Sequence, residues 1–379
     1  MKTLHINTER TWRGGERQTL LLVEGLRGRG IEVHLACQPG SPLAERAEAA
    51  GIAVRPIAMR GEVDLPAGLA LRRLVKQIDC DLVHSHTSHA HTLAFWATAG
   101  KRTVRLVTRR VEYSIYRHSF FGMSRIKYRH MADGYIAISE RIRQVLISDG
   151  VAQQLIHLVP SGVPLEPDVF GADRLRTEFG IGESNPVLLS VAHLAPEKGH
   201  AILLQAMASV SVRMPSIRLV VVGDGQCRPD LEALSEKLGI RRQVIFTGFR
   251  DDVSAFYGLA DGFVSSSTAE GLGSAVLDAL AAGVPVVAAA AGGIPEIIEN
   301  GRTGILVPPA IPSALADGII ELFERPGQAK EMAANGREEV RRRYSVDRMV
   351  SDTLAVYQRL LPCDRLETQA TTGNLPDRP

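Results

Sequence analysis

Short β-branched runs alternate with amphipathic helical stretches along almost the whole chain, and this alternation restricts the fold more than any other feature. In the first half, runs at Leu4–Asn7, Val33–Gln38, Val54–Ile57, Asp81–His86, Val104–Thr108 and Gly134–Ile138 read as strands, each followed by a helix or a loop. That rhythm predicts parallel pairing. A parallel connection needs a crossover long enough to hold a helix, and the helices then cover both sheet faces. A second series begins at Val187, with runs at Val187–Val191, Leu219–Gly223, Val244–Thr247, Gly262–Ser265, Val284–Ala288 and Gly304–Val307. Between the two series, Pro160, Pro164, Pro167 and Pro186 surround one short charged segment, 173–179, and the interval reads as a linker.

The expectation is an α/β chain of two Rossmann-like, doubly wound parallel-sheet domains, residues 1–165 and 166–345. Residues 314–344 read as helical and charged. Met349, Val350, Leu354, Val356, Tyr357, Leu360 and Leu361 predict one closing amphipathic helix within 346–362. The polar tail, 363–379, has no periodicity and predicts disorder.

Composition removes several classes. Lys+Arg 44 against Asp+Glu 42 argues against a dedicated nucleic-acid binder. Cys37, Cys80, Cys227 and Cys363 are scattered, so neither a zinc site nor a disulfide framework is expected, and a reducing cytosol fits. The first residues lack the apolar core of a signal peptide, and no apolar run reaches membrane-spanning length. Residues 283–291 are apolar but short and contain Pro285, and they read as a buried strand.

Ligands of doubly wound sheets sit beyond the carboxyl ends of the strands. The richest such stretch follows Gly262–Ser265 and runs from Ser265 to Ser274 before a helix that reaches Asp278. Gly271 and Gly273 let the backbone approach a ligand, and the helix N-terminus offers N–H groups to a diphosphate. Glu270 and Asp278 would repel a phosphate that they touched, and they suit hydroxyl groups better. After Val187–Val191, the loop His193 to Gly199 ends in Lys198, which can neutralise phosphate charge. Gly292–Glu296 and Arg13-Gly14-Gly15-Glu16-Arg17 are two further strand-to-helix turns with glycines.

Taken together, these stretches resemble the family-4 glycosyltransferases of the GT-B architecture, in which two Rossmann-like domains face a cleft. The text that carries the resemblance is LSVAHLAPEKG (189–199), VVVGDG (220–225), TGFRDDV (247–253), SSSTAEGLGSAVLDALAAGVPVVA (265–288) and GGIPEII (292–298). It is looser in the first half, at the GGER loop, DLVHSH, ADGYIAISE (132–140) and VPSGV (159–163).

The resemblance implies retaining transfer of a sugar from a nucleotide-diphosphate donor to an acceptor hydroxyl, without a metal or other cofactor. The family's E-x7-E motif falls on Glu270, facing the donor sugar, and on Asp278, which stands where the family has a second Glu that binds ribose. His193 stands where the family often has Arg, and Lys198 is kept. The resemblance puts donor contacts at Gly271, Leu272, Gly273 and Ser274, lets Gly14 and Gly15 close on the diphosphate, and places His86 near the reacting centre. It also implies that the last helix crosses back to the first domain. The implied partners are the nucleotide sugar and a glycan or lipid-linked acceptor. Envelope glycan or lipopolysaccharide-type synthesis is the expected setting, in the cytoplasm or at the cytosolic membrane face. A nucleotide-sugar epimerase and a non-catalytic donor-binding protein stay open as alternatives.

Other features read more blandly. His84, His86, His89 and His91 lack an acid or Cys to complete a metal site. Asp79-Cys80-Asp81 reads as a turn and strand start. Gly223-Asp224-Gly225 lacks the third glycine of a dinucleotide fingerprint. Between Arg102 and His130, eight cations interleave with Tyr113, Tyr116, Phe120, Phe121 and Tyr128, which reads either as a solvated face or as a contact with anionic membrane.

Overall fold

The computed structural model describes residues 1–112, 123–167 and 169–361; the tail expected to be disordered lies outside them. The chain divides into two compact units, residues 1–162 with the chain from Val346 onward, and residues 163–345.

The first unit carries strands β1 (Lys2–Ile6), β2 (Glu32–Cys37), β3 (Ala53–Pro56), β4 (Leu82–Ser85), β5 (Val104–Arg109), β6 (Gly134–Ala137) and β7 (Ile156–Leu158). The helices between them are α1 (Gly14–Gly28), α2 (Pro42–Ala49), α3 (Leu65–Gln77), α4 (Ser88–Thr98), α5 (Met123–His130) and α6 (Glu140–Ser148). The strands pair in the order β3-β2-β1-β4-β5-β6-β7, every pair parallel. Both faces of this sheet are covered, so β4 and β6 are buried at every residue. Alternation assigns neighbours to opposite faces: Leu82 packs with Leu22, Leu26 and Tyr357, and Val83 with Leu4, Leu71 and Leu93. Ser41, Asp64, Thr87 and Ser139 cap α2, α3, α4 and α6 by accepting a bond from the backbone N–H three residues on.

The second unit carries β8 (Val187–Val191), β9 (Arg218–Val222), β10 (Val244–Gly248), β11 (Gly262–Ser265), β12 (Val286–Ala289) and β13 (Ile305–Val307). Their order is β10-β9-β8-β11-β12-β13, again all parallel. Its helices are α7 (Ala172–Phe179), α8 (His200–Arg213), α9 (Arg228–Lys237), α10 (Val253–Leu259), α11 (Ser274–Ala281), α12 (Pro312–Glu324) and α13 (Pro326–Arg343). Leu188, Leu203, Met207, Leu219, Val264 and Ile319 are central to its core.

The final helix, α14 (Val346–Leu360), belongs to the first unit. Met349, Val350, Val356 and Tyr357 enter its core beside α1. The approach is close: a Cβ at Gly25 would lie 2.5 Å from Cγ2 of Val350, so the helices meet at a position with no side chain.

One sequence expectation needs correction. The charged segment 173–179 is no spacer: it is α7, docked on α10, where Phe179 lies against Phe256 and Arg250 bonds both Glu178 and Asp252. The two compact units divide between residues 162 and 163. The helical stretch 314–344 is broken between Glu324 and Pro326, because proline has no N–H to continue a helix and suits a first turn. Strand β7 went unread, since three residues are too few to show a period.

Candidate active site

Each sheet reverses its winding between its first and fourth strands, β1 and β4 in one unit and β8 and β11 in the other. Backbone loops diverge at such a switch point and leave a crevice at the carboxyl end of the sheet.

In the second unit, β8 leads through His193 to a 3-10 turn, Pro196–Lys198, and then α8; β11 leads through Glu270 to α11. The two loops are clasped by backbone. Gly199 has φ +65°, and a Cβ there would stand 2.1 Å from the carbonyl oxygen of Ser266. Ser266 Oγ donates to the Lys198 carbonyl at 2.9 Å, and the Thr268 N–H donates to the Glu197 carbonyl at 2.8 Å. This clasp sets Lys198 Nζ 2.8 and 2.7 Å from the two oxygens of Glu270. The two side chains keep only 22% and 19% of their surface exposed. A third loop joins them, since the Gly293 N–H donates to the Glu270 carbonyl at 3.1 Å.

Helix α11 starts at Gly273, whose φ of +102° favours glycine. The Val276 and Leu277 N–H groups both reach the Gly273 carbonyl, whereas those of Ser274 and Ala275 precede the first helical hydrogen bond. Ser274, Ala275 and Asp278 are its only residues that are not buried, so one accessible strip runs from the helix start to the second carboxylate. Leu272 is buried beneath this turn.

The GDG stretch has a bracing role. Cβ atoms at Gly223 and Gly225 would stand 2.0 Å from the Ala192 oxygen and 2.4 Å from the Leu194 oxygen. The Leu194 N–H donates to the Asp224 carbonyl, and the Cys227 N–H to the Leu194 carbonyl. The half-buried His193 sits in this braced loop. Behind it His200 is almost fully buried, and neither ring nitrogen has a partner within the protein. Burial, then the nearby Lys198 and His193, pulls its imidazole down to about 4.

In the first unit, Gly14 and Gly15 begin α1, and Glu16 closes its N-terminus by accepting the Arg13 N–H at 3.1 Å. A Cβ at Gly15 would lie 3.8 Å from Cδ of Arg110. Burial raises the Glu16 carboxyl, and Asn7 Nδ2 partly offsets this by donating to it. His86 follows β4 but is almost fully buried, with its Nε2 3.0 Å from Nδ1 of His5. His84 is held at both nitrogens, by Tyr357 Oη and Thr108 Oγ1, each at 2.7 Å.

His5, His84 and His86 bring ring nitrogens within 4.8 Å of one another. Of the other histidines noted in the sequence, His89 is exposed, and His91 is buried edge-on to Tyr128 and Tyr135. His84 has no nitrogen to spare and His5 and His86 bond each other, while Nε2 of His5 and Nδ1 of His86 are buried with no partner within the protein. His5 was missed, although a histidine between Leu4 and Ile6 in the first strand was visible.

These histidines make acid stability a sharp test. His5 is lowered to about 3 by burial, and burial also holds His84, His86 and His91 well below the usual imidazole range. The unfolded chain takes up protons below about pH 6.5 and the folded chain does not, so stability is full above that pH and falls as pH drops towards 4. Each such histidine contributes roughly 1.4 kcal/mol per pH unit within the window. The melting temperature should fall steeply between about pH 6.5 and 4.5; a flat profile there would contradict neutral burial.

Among the described residues of the basic stretch after Arg102, Arg102 and Arg129 are exposed, and several other cations are engaged within the protein. Arg105 forks onto Asp133, Arg109 Nη1 donates to Tyr128 Oη, and the buried Lys127 bonds Glu62 at 2.6 Å. Tyr113, Tyr116, Arg117, Phe120 and Phe121 lie outside the described residues. Asp79-Cys80-Asp81 is a turn and strand start: Asp79 has φ +49°, and Asp81 accepts the Lys2 N–H. No helix among the described residues is long and apolar enough to cross a membrane.

The profile described as Glycosyl transferases group 1 matches residues 172–339, and that described as Glycosyltransferase Family 4 matches residues 12–167. A relative from Bacillus subtilis (strain 168), described as putative glycosyltransferase EpsD, is 30% identical over 360 residues, 89% of this chain and 92% of the relative. The chain belongs to the family-4 glycosyltransferases. Another similar glycosyltransferase, the GDP-mannose-dependent alpha-(1-6)-phosphatidylinositol monomannoside mannosyltransferase of Mycobacterium tuberculosis (strain CDC 1551 / Oshkosh), is 34% identical over 214 residues. That match spans 53% of this chain and 55% of the relative. Among solved structures, Anabaena Alr3699/HepE in complex with UDP and glucose has a TM-score of 0.84 at 22% identity, covering 95% of this glycosyltransferase and all of that chain. The fold is thus that of GT-B glycosyltransferases.

Proposed function

We propose that this glycosyltransferase is a retaining enzyme that uses a nucleotide-diphosphate sugar and binds it on the second unit. The observation that carries the reading is the Lys198–Glu270 pair beside the start of α11 at the sheet's switch point. An ammonium has three protons. Two reach Glu270, and the third is suited to a donor phosphate. The α11 N–H groups near Gly271–Ser274 add positive partial charge where the leaving diphosphate gains negative charge. Glu270 would accept bonds from donor-sugar hydroxyls and Asp278, one turn into α11, from ribose. His193 would add a donor to the diphosphate. The resemblance assigns Gly14 and Gly15 to the donor diphosphate and His86, almost fully buried, to the neighbourhood of the reacting centre. No side chain is needed to take the acceptor's proton, because the departing phosphate can do so, and no metal is required for charge neutralisation.

The relatives' names support a search that begins with UDP- and GDP-linked donors. The proposed acceptor is an envelope glycan or a lipid-linked glycan, in lipopolysaccharide-type synthesis at the cytosolic face of the membrane. The test is binding and slow hydrolysis of UDP-, GDP-, ADP- and dTDP-sugars, with and without EDTA. One donor should bind and release its nucleotide in both conditions. Loss of release on chelation would overturn the metal-free reading. Binding of none at millimolar concentration would favour a donor site disabled by Asp278 and His193.

A further inference from the structure

Strands β1, β4, β5 and β7 of the first unit run parallel, so the segments after Ile6, Ser85, Arg109 and Leu158 leave the same end of the sheet. Each brings a polar group there. The loop after β1 brings the start of α1, where the Arg17 N–H is the first to bond back, to the Arg13 carbonyl. β4 leads to His86, whose Nδ1 is buried without a partner within the protein, and β5 leads to Arg110, whose Nε is buried and equally unpartnered. Beyond β7, Ser161 Oγ accepts from Arg110 Nη1 at 3.4 Å, the guanidinium's one hydrogen bond among the described residues. Arg110 stands against the helix start, since a Cβ at Gly15 would lie 3.8 Å from its Cδ. It also stands near the histidines: burial first, then the neighbouring rings and the Arg110 charge, hold His84 and His86 low. Burial pulls the guanidinium itself down to about 10, partly offset by Glu16, so it stays charged at neutral pH. Glu16 directs its oxygens elsewhere, to the Arg13 N–H and Asn7 Nδ2. Gly14 is exposed and Gly15 and Arg110 are half-buried, so a solute can reach the place.

We propose that Arg110, with His86 and Ser161, forms an oxyanion site that binds a phosphate or carboxylate group of the acceptor, so that the acceptor of this enzyme is acidic. The planar guanidinium offers a charged fork of N–H groups, which matches two oxygens of either group. The bound oxyanion selects the tautomer in which His5 Nδ1 donates to His86 Nε2, leaving the His86 Nδ1 proton for the ligand. The Ser161 hydroxyl has a proton of its own to add, and the positive end of α1 favours the same charge. The donor diphosphate is the poorer occupant. On the proposed reading Lys198 and the start of α11 already neutralise it from the second unit, which leaves Arg110 for another anion. Calling the ligand the acceptor rests on that reading, whereas the oxyanion site rests on the first unit alone.

The test is calorimetric titration of the full chain with inorganic phosphate, with and without saturating UDP or GDP, beside a thermal melt of each variant. The parent saturated with nucleotide should keep one phosphate site, and so should Lys198→Met without nucleotide. Arg110→Gln should weaken that site at least about tenfold in both settings. Arg110→Lys keeps the charge but not the fork, and it should retain only part of the affinity. If the melt shows that Arg110→Gln does not fold, the Arg110→Lys titration decides, with a severalfold loss expected. Parental phosphate affinity in the folded Arg110 variants overturns the proposal, as does the absence of a phosphate site in folded Lys198→Met. Loss of the last phosphate site when nucleotide binds assigns Arg110 to the donor diphosphate and overturns the acceptor assignment. Failure of every nucleotide sugar to bind would count against the donor reading, and the Lys198→Met titration would still report on Arg110.

Discussion

Lys198→Met should reduce nucleotide release and sugar transfer by on the order of 10²–10³-fold while the chain remains folded. Methionine keeps most of the length and removes the charge. The lost term is the one that grows as the phosphate leaves, so kcat should suffer more than donor affinity. Removing the ammonium also leaves the Glu270 carboxylate, only 19% exposed, without its 2.7 Å partner. A mostly buried carboxylate that loses its charged hydrogen-bond partner is destabilising, and stability should fall by roughly 1–3 kcal/mol. Lys198→Arg should restore only part of the turnover. The clasp between Gly199 and Ser266 fixes the reach of this side chain, and a planar fork does not occupy the place of a compact ammonium. Steady-state kinetics with the donor identified by the panel, beside a thermal melt, checks this. Turnover of Lys198→Met within about threefold of the parent would remove Lys198 from the reaction.

Gly199→Ala and Gly223→Ala should each destabilise the second unit by upwards of about 3 kcal/mol, far more than the same change at Gly239. All three glycines have positive φ, +65°, +135° and +73°, so all carry backbone strain of roughly 1–2 kcal/mol when a side chain is added. The difference is the neighbour. At Gly239 nothing lies within 4 Å of the added carbon, whereas at Gly199 and Gly223 it meets a backbone carbonyl oxygen at 2.1 and 2.0 Å. A carbonyl held in a loop cannot swing aside like a side-chain tip, so the loops must part. Parting them separates Lys198 from Glu270, and turnover should fall with stability. Urea denaturation of the three variants gives the comparison. Equal costs at Gly199, Gly223 and Gly239 would show that the clasp does not hold the site.

Much of this fold was readable because parallel α/β structure writes itself locally. Runs such as Leu219–Gly223 and Val284–Ala288 are apolar throughout because both faces of the sheet are covered, and they stand out against amphipathic helices. The loops after β8 and β11 were readable for a related reason, since glycines and charged residues interrupt an apolar pattern where a strand ends. The segment around α7 was misread because prolines and charge mark both a linker and a short surface helix. Its docking on α10 depends on Phe256 and Asp252, residues far along the chain. In the basic stretch before His130, the partners of Arg105 and Lys127, Asp133 and Glu62, likewise lie beyond any local window or on another element.

The sequence by itself determined the two α/β series, the strand-end loops and the identity of the residues on them, because secondary structure and turn chemistry follow from periods of two and 3.6 and from glycine's freedom. Only the tertiary structure decided which of those residues meet. Lys198 and Glu270 are 72 positions apart, and His84 and Tyr357 are 273 apart. Such pairs are fixed by strand order and by the return of α14, and no local pattern encodes either one. Whether a charged or titratable group faces water or a partner depends on that long-range packing, and its chemistry depends on the answer.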